Sequence, residues 1–376
     1  MSFKEVLNKY SWNFAKNLIY NTNEKQVEFA LKKNKIDMYD FAYLLSPAAE
    51  KFLEPMAQSA HNITVRRFGK TIKLYAPLYL SNECSNSCVY CGFNRTNKIP
   101  RITLNEEEIE TEAKLIFERG IRHILLLTGE SPKHASLKYI KKAVQICKKY
   151  FSSIAVEIYP LSVEDYQELY KTGVDSLTVY QETYNRNTYK EVHLAGKKSD
   201  YDWRLETPER GCKAGMRYVG IGALMGLDDF RTEEFFVGLH ASYLMKKYWK
   251  THIGISFPRI RKAEGQFQPK TDITDKNLVQ SMIALRIFLN DVGLVISTRE
   301  PAYLRDRLLP LGVTQMSAGS KTEPGGYSHQ NTAGEQFEVE DKRSVDEFIL
   351  MLKKQGYDPV MKDWDISFLN ETIMTE

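Results

Sequence analysis

The sequence has little net charge and no long hydrophobic run, and each shortage excludes a broad class of protein. Lys and Arg number 52 and Asp and Glu number 48, for a formal net charge of +4. A dedicated nucleic-acid surface gathers Lys and Arg on one face, whereas here they are spread along the chain, so we expect no nucleic-acid partner. The strongly apolar runs, such as residues 123–129, are too short to span a bilayer, so we expect no membrane association.

Cysteine is also scarce, with 5 residues among 376. The start of the chain, MSFKEVLNKYSWNF, lacks the apolar segment and small-residue cleavage site of a secretory signal, which predicts a cytoplasmic protein. Three of the cysteines lie close together, at positions 84, 88 and 91. In a reducing compartment such a group more often binds metal than forms disulfides.

The periodicity of apolar residues changes near residue 70. Residues 1–70 carry them at three-to-four spacing, which predicts an N-terminal helical extension. From there to residue 376, short apolar runs alternate with amphipathic stretches. Eight runs predict strands, at 71–81, 123–130, 154–160, 176–182, 217–226, 252–258, 294–300 and 313–320. Eight β–α alternations favour an α/β fold, a closed (β/α)8 barrel of TIM type over residues 71–376. The alternative, a doubly wound open sheet, is disfavoured because no G-x-G-x-x-G motif follows the first run.

A C-x3-C-x2-C motif follows the first predicted strand and contains Cys84, Cys88 and Cys91. This position corresponds to the first βα loop, on the catalytic face of a barrel. Three thiolates can bind three irons of a 4Fe-4S cubane and leave the fourth iron open. The open iron suits the amine and carboxylate of S-adenosylmethionine (SAM). The alternative is structural zinc, but zinc usually takes four protein ligands and no fourth lies nearby in the sequence.

Polar residues at the ends of the second and third runs are candidates for binding a ligand. Gly129, between Thr128 and Glu130, allows close approach of the backbone, although the tripeptide also suits a simple turn. Glu157 lies in an otherwise apolar strand, where a carboxylate is costly unless it is paired or lines a cavity. It could accept hydrogen bonds from two ribose hydroxyls, or it could form a buried ion pair with an Arg.

Five more candidates come from later segments. Arg204 and Glu206 follow the fourth run and offer charges near the catalytic face, although Glu206 also suits the first turn of a helix. Gly222 belongs to a glycine-rich fifth run, where a flat ring such as adenine could approach the backbone.

Arg299 ends the seventh run and Ser317 lies in the eighth. An Arg at a strand end suits bidentate binding of a carboxylate, and strand eight brings the Ser hydroxyl beside it. Each residue could instead belong to a structural ion pair or a turn. Together they suggest a site for a zwitterionic amino acid, separate from the SAM groups.

Longer segments carry a family resemblance that runs essentially end to end. They are LLSPAAEKFLE, PLYLSNECSNSCVYCGF, LLLTGE, VYQETY, WRLETPER, GIGALMGL, SFPRIR, STRE, SKTEPGGY and MKDWD. Through them the chain resembles the radical SAM tyrosine lyases of thiazole biosynthesis, in the biotin-synthase-like group. The resemblance implies cleavage of the Cα–Cβ bond of L-tyrosine to 2-iminoacetate (dehydroglycine) and p-cresol, with 5′-deoxyadenosine and methionine formed from SAM. It also implies thiazole synthase as a partner and a low-potential electron donor such as flavodoxin or ferredoxin.

The resemblance assigns roles to the candidates by position. The three cysteines resemble cluster ligands, and Tyr90 occupies the aromatic position before the last of them. The residues that resemble SAM-binding groups are Thr128, Gly129, Glu130, Glu157, Arg204 and Glu206. Arg299 and Ser317 resemble the groups that hold the carboxylate and amine of the aromatic substrate. His193 is one candidate for the base that removes the phenolic proton, although a solvated loop histidine is the default interpretation.

Two related activities and one unrelated class remain as alternatives. The hydrogenase-maturation tyrosine lyases make carbon monoxide and cyanide with a second, cysteine-bound cluster, and this sequence has no cysteine after Cys212. A tryptophan lyase would share the architecture. A non-catalytic zinc-binding or electron-transfer module is the alternative from another class.

Overall fold

The computed structural model describes residues 2–264, 267–328 and 334–365. Eight parallel strands form a closed barrel in the order β1 to β8, with β8 paired to β1, and a ninth strand, β9, also pairs with β1. The bounds are β1 Thr71–Ser81, β2 His123–Thr128, β3 Ser153–Glu157, β4 Ser176–Thr178, β5 Tyr218–Gly222, β6 His252–Ser256, β7 Gly293–Ile296, β8 Gln315–Ser317 and β9 Asp358–Val360. The predicted barrel is confirmed, and each of its strands lies at a predicted run.

The strands are short and buried, as expected for a parallel sheet with helices outside and side chains inside. β2 and β5 are buried along almost their whole length. After the first run, the predicted runs extend past the observed strands at their carboxyl ends, because those residues leave the ladder to form the βα loops. β4, for example, ends at Thr178, whereas its predicted run reaches residue 182.

The described residues form fifteen α-helices, together with three short 3₁₀ helices at Pro47–Phe52, Lys197–Ser199 and Leu309–Leu311. The α-helices are α1 Phe3–Leu7, α2 Trp12–Tyr20, α3 Glu24–Leu31, α4 Met38–Leu45, α5 Leu53–Phe68, α6 Glu106–Glu118, α7 Leu137–Cys147, α8 Val163–Thr172, α9 Arg186–Val192, α10 Tyr201–Leu205, α11 Thr207–Lys213, α12 Phe230–Lys247, α13 Asp275–Phe288, α14 Ala302–Leu308 and α15 Val345–Lys354. Local sequence explains several starts: Asn105 and Glu108 form a capping box at α6, as do Ser344 and Glu347 at α15.

The helices that precede β1 pack against the outer helices of the barrel. α4 and α5 contact α13, and α2 contacts α12. The Phe41 ring stacks on Phe288 with centroids 4.5 Å apart. A boundary between two domains at residue 70 stays a prediction.

The residues after α15 return to the amino-terminal end of the barrel. Asp358 pairs with Thr71 in β9, and the Asp363 carboxylate lies 2.7 Å from His123 Nε2. This end is therefore covered, and the chemistry-bearing side chains collect at the opposite end. Within the described ranges, no helix is both long and apolar enough to cross a membrane.

Candidate functional site

A single chamber at the carboxyl ends of the strands collects most of the predicted site residues. Those that line it are Cys84, Cys88, Tyr90, Cys91, Thr128, Gly129, Glu130, Glu157, Arg204, Arg299 and Ser317. They come from loops or strand ends around the whole barrel, where the catalytic groups of TIM barrels lie. Glu206 and Gly222 are not among the residues that line it.

A second loop holds the cysteine loop in place from outside. The backbone N–H of Ser87 donates to the carbonyl of Ala195 at 2.9 Å, and that of Leu194 donates to the carbonyl of Ser87 at 3.0 Å. The N–H of Val89 donates to Val192 at 3.1 Å. Because these bonds fix the backbone, the positions of the thiols do not depend on a metal alone.

The three thiols form a donor set that fits a cubane better than a single ion. Cys88 is buried, whereas Cys84 and Cys91 are partly exposed to the chamber. Burial raises the pKa of all three thiols, and that of Cys91 reaches about 11. Three thiolates match the ligand number of a cubane with one open iron. A structural zinc ion usually takes four protein ligands, and the described residues that line the chamber include no further Cys and no His.

Tyr90 is fixed to His193 beside the cysteines. Its hydroxyl lies 2.8 Å from His193 Nε2, and the rings meet edge to face. His193 Nδ1 lies 2.9 Å from the carbonyl of Tyr189, so Nδ1 donates and Nε2 accepts the Tyr90 proton. Burial lowers the pKa of His193 to about 2, which keeps the ring neutral. The interpretation of His193 as a solvated loop residue is therefore wrong, and both of its nitrogens are engaged.

Gly129 is required by the packing of the cysteine loop against the end of β2. A Cβ at Gly129 would lie 2.2 Å from the carbonyl oxygen of Glu83. The hydroxyl of Thr128 is buried and has no hydrogen-bond partner among the described residues. Such an unpartnered group facing a chamber is suited to a bound ligand.

Glu130 belongs to a network of charged side chains that line the chamber. Its Oε1 accepts from Arg204 Nη1 at 2.8 Å and its Oε2 accepts from the side chain of Asn86 at 2.8 Å. Arg204 Nε donates to the carbonyl of Tyr180 at 2.7 Å. The guanidinium also lies 3.6 Å from Glu182 Oε1. This network holds Arg204 in one orientation.

The residues Glu182 and Lys198 complete the network, and sequence reasoning missed both. The Lys198 ammonium donates to Glu182 Oε1 at 2.8 Å, and both line the chamber. Burial acts to lower the pKa of Lys198, but nearby negative groups, chiefly Glu182, raise it above its ordinary value. Glu182 has φ +70°, a left-handed conformation that is strained for a non-glycine residue and recurs at functional sites. Its place as the last residue of the fourth predicted run, 176–182, was the one available signal.

Glu157 faces the chamber without an ion pair among the described residues. The predicted alternative, a buried pair with an Arg, is therefore not supported. Burial raises the pKa of Glu157 to about 7, and the negative charge of Glu182 adds to the effect. Glu157 is the carboxylate best placed to accept hydrogen bonds from a bound ligand.

Glu206 and Gly222 have structural surroundings instead. Glu206 lies between α10 and α11, and the carboxylates that contact Arg204 are those of Glu130 and Glu182. A Cβ on Gly222 would lie 2.6 Å from the carbonyl oxygen of Ser256 in β6. The glycine is therefore explained by packing between neighbouring strands, without a ligand.

Arg299 lies across the chamber and has no carboxylate partner in the described ranges. Its guanidinium carbon lies 3.4 Å from the centroid of the Phe337 ring, and its Nη1 lies 3.4 Å from the carbonyl of Arg259. Its Nε is buried without a partner, and burial lowers its pKa. Ser317 already has a hydrogen-bond partner in the protein, because its Oγ accepts from the backbone N–H of Thr298 at 3.0 Å.

Comparisons with known proteins agree with this geometry. Residues 78–236 match the radical SAM superfamily, and residues 256–358 match the biotin and thiamin synthesis associated domain. The chain is 40% identical over 365 residues to 2-iminoacetate synthase of Escherichia coli and 41% identical to that of Salmonella typhimurium, covering 97% of this chain and of each relative.

Among solved structures, the FeFe-hydrogenase maturase HydG from Carboxydothermus hydrogenoformans is 34% identical, with a TM-score of 0.84. The match covers 96% of this chain and 83% of HydG. Radical SAM enzymes use a 4Fe-4S cluster and SAM, and the cysteine loop and paired charges described above fit both. The chain therefore belongs to the 2-iminoacetate synthase family of radical SAM enzymes.

Proposed function

We propose that this protein cleaves the Cα–Cβ bond of L-tyrosine, giving 2-iminoacetate and p-cresol together with 5′-deoxyadenosine and methionine. The observation that carries this proposal is the guanidinium of Arg299, which faces the same chamber as the three cysteines, has a buried Nε without a partner and has no carboxylate partner among the described residues. A cation that is largely removed from water is unfavourable without an anionic partner, and a substrate carboxylate would supply one. An amino acid held there would place its reacting atoms between Arg299 and the cysteine loop.

The remaining roles follow from position in the chamber. Cys84, Cys88 and Cys91 would bind three irons of the cluster, and Tyr90 would pack beside them. Thr128, Gly129 and Glu130 would meet the amino group of SAM at the end of β2. Glu157 would accept hydrogen bonds from the ribose, and Arg204 would contribute a fixed positive charge, with Glu182 in the place first expected for Glu206.

When bound, the reduced cluster and SAM supply a 5′-deoxyadenosyl radical, and the protein has to place the substrate beside it. Arg299 would bind the tyrosine carboxylate, and Ser317 would orient the amine. Fixing the carboxylate sets the distance between the tyrosine amine and the 5′ carbon of the deoxyadenosyl group. Setting this distance is the main contribution that a positioning group can make. Apolar side chains such as Leu125, Leu127 and Val295 line the same chamber and exclude water, a competing source of hydrogen atoms.

The proposal extends to partners that the reaction requires. 2-Iminoacetate hydrolyses readily, so it must pass to an enzyme that consumes it, and we propose thiazole synthase. A donor of low potential, such as flavodoxin or ferredoxin, would reduce the cluster. The cytoplasm is the compartment we propose, because the cluster requires three reduced thiols.

Anaerobic turnover of the reconstituted protein with SAM, tyrosine and dithionite tests the function. We expect p-cresol and 5′-deoxyadenosine in equal amounts. Tryptophan in place of tyrosine should give no cleaved product, and its cleavage would indicate a tryptophan lyase. The likeness to HydG makes a second product set worth measuring, and carbon monoxide or cyanide from tyrosine would contradict the proposal.

A further inference from the structure

Two adjacent lysines of the 3₁₀ helix at Lys197–Ser199 have opposite environments. Lys197 is exposed, whereas Lys198 lines the chamber together with all three cysteines. The Lys198 side chain is 12% exposed, and its ammonium lies 5.7 Å from the centroid of the Tyr90 ring. One lysine of the pair is thus placed at the proposed cluster.

The position of Lys198 is fixed by the cysteine loop itself. Its backbone N–H donates to the side chain of Asn86 at 3.1 Å. Gly196 packs so closely on Asn86 that a Cβ there would lie 2.1 Å from Asn86 Oδ1. Since Asn86 lies between Cys84 and Cys88 in sequence, the backbone of Lys198 is bonded directly to the cysteine loop.

Lys198 is paired with Glu182, and both residues line the chamber that the three thiols face. The ammonium lies over the ring of Tyr90, which directly precedes Cys91, so the positive charge is beside the cysteine loop. A charge in a largely buried site has a large effect on its neighbours, because solvent screens it little.

We propose that Lys198 tunes the cluster, as a fixed positive charge that makes the cluster easier to reduce. This inference rests on the proposed assignment of the cluster to the three cysteines. Reduction adds one electron from an external donor, so the cluster and its thiolates gain one negative charge while no bond forms or breaks. A nearby cation stabilises that extra charge and raises the reduction potential. Lys198 would therefore act on the cluster through its charge, without contact with the reacting atoms.

The test compares Lys198→Met with its neighbour Lys197→Met in reconstituted protein. Iron and sulfide are measured first, and the midpoint potential is then followed by electron paramagnetic resonance during a redox titration without SAM. We expect the equilibrium constant for reduction of the cluster to be about tenfold lower in Lys198→Met than in the wild type. For a one-electron couple this corresponds to a midpoint potential about 59 mV more negative. Lys197→Met should match the wild type, and Lys198→Arg should restore the wild-type potential.

Two further results separate this inference from other roles of Lys198. If Lys198→Met binds SAM weakly but keeps the wild-type potential without SAM, Lys198 is a SAM contact and the proposal is overturned. Should Lys198→Met take up no cluster, the double variant Lys198→Gln and Glu182→Gln removes the unpaired carboxylate, and a smaller negative shift is expected. A wild-type protein that binds no iron would instead contradict the cluster assignment itself.

Discussion

The two sides of the reaction chamber differ in how their charges are paired. On the side of the cysteine loop, Arg204 and Lys198 are held by Glu130 and Glu182. On the side of β7 and β8, Arg299 has no carboxylate partner among the described residues, and its cation packs on an aromatic ring. On the first side the cations are neutralised by carboxylates of the protein, whereas on the second side a cation is left for which a substrate carboxylate would be a partner. We infer that the first side holds the cofactors and the second selects the amino acid.

The largest expected effect comes from removing a thiolate ligand of the proposed cluster, on which the whole reaction depends. Cys88→Ala should abolish 5′-deoxyadenosine and p-cresol together, because two thiolates cannot hold the cubane with one open iron. Iron content and the absorbance of the cluster measure its assembly, and product analysis measures turnover. Cys147→Ala is the matched control, since Cys147 lies buried in α7, away from the chamber. Normal turnover by Cys88→Ala would contradict the cluster assignment.

Arg299→Ala should separate the two sides most clearly. We expect tyrosine to bind more weakly by about 2 to 4 kcal/mol, roughly 30- to 1000-fold, because a charge-assisted contact is lost in a buried site. Cluster content and SAM binding should stay close to wild type. Equilibrium dialysis with labelled tyrosine measures the affinity, and an unchanged affinity would remove the assigned role. Arg299→Lys keeps the charge but loses the planar fork, and should fall between the two.

Arg204→Met breaks the paired side instead. It leaves Glu130 without its buried partner, so we expect the unfolding free energy of the cluster-free protein to fall by about 3 kcal/mol. SAM binding should weaken as well. Chemical denaturation and a SAM titration measure the two effects. By contrast, Arg299→Met should leave stability nearly unchanged or increase it, and the reverse ranking of the two variants would contradict the comparison.

Glu157 should make both the stability of the protein and its affinity for SAM depend on pH. Its pKa is raised to about 7, so the folded protein binds a proton more tightly than the unfolded chain. Stability from this group is therefore present at low pH and is lost as pH rises from about 4.5 towards 7. SAM binding has the opposite dependence if the ionised carboxylate accepts the ribose hydroxyls, and its affinity should increase through pH 7. Glu157→Gln should flatten both profiles, and an unchanged pair of profiles would discard this role.

Tyr90→Phe is expected to give the smallest effect. It removes one hydrogen bond and leaves His193 Nε2 without a donor, at a cost of about 1 to 2 kcal/mol in stability. The ring and its contacts remain, so the cluster should assemble and turnover should change only a few-fold. Thermal denaturation and product assays measure these effects. A complete loss of the cluster would show that the hydroxyl has a direct role.

Much of the fold was predictable because parallel strands are short apolar runs bounded by loops. Each barrel strand lies at a predicted run, and Cys84, Cys88 and Cys91 lie in the first βα loop as expected. Glu206 does not line the chamber, and the carboxylates that contact Arg204 are those of Glu130 and Glu182, which lie 74 and 22 positions earlier in the sequence. Sequence distance carries no information about which of two glutamates a guanidinium meets.

Lys197 and Lys198 show the same limit more sharply. Nothing in the sequence distinguishes two adjacent lysines, and only the backbone of the 3₁₀ helix decides that one side chain enters the chamber. The interpretation of His193 as a solvated loop residue was wrong for the same reason. Its segment pairs with the cysteine loop, and this pairing buries the side chain.

The sequence by itself determined the alternation of strands and helices, the cysteine spacing and the family, because these depend on local patterns and on long matching segments. The tertiary structure alone decided which charges are paired and which are left open. Pairing depends on the meeting of side chains from distant loops at one end of the barrel, where burial makes each partner matter. The lack of a carboxylate partner for Arg299 among the described residues and the entry of Lys198 into the chamber are therefore properties of the folded protein.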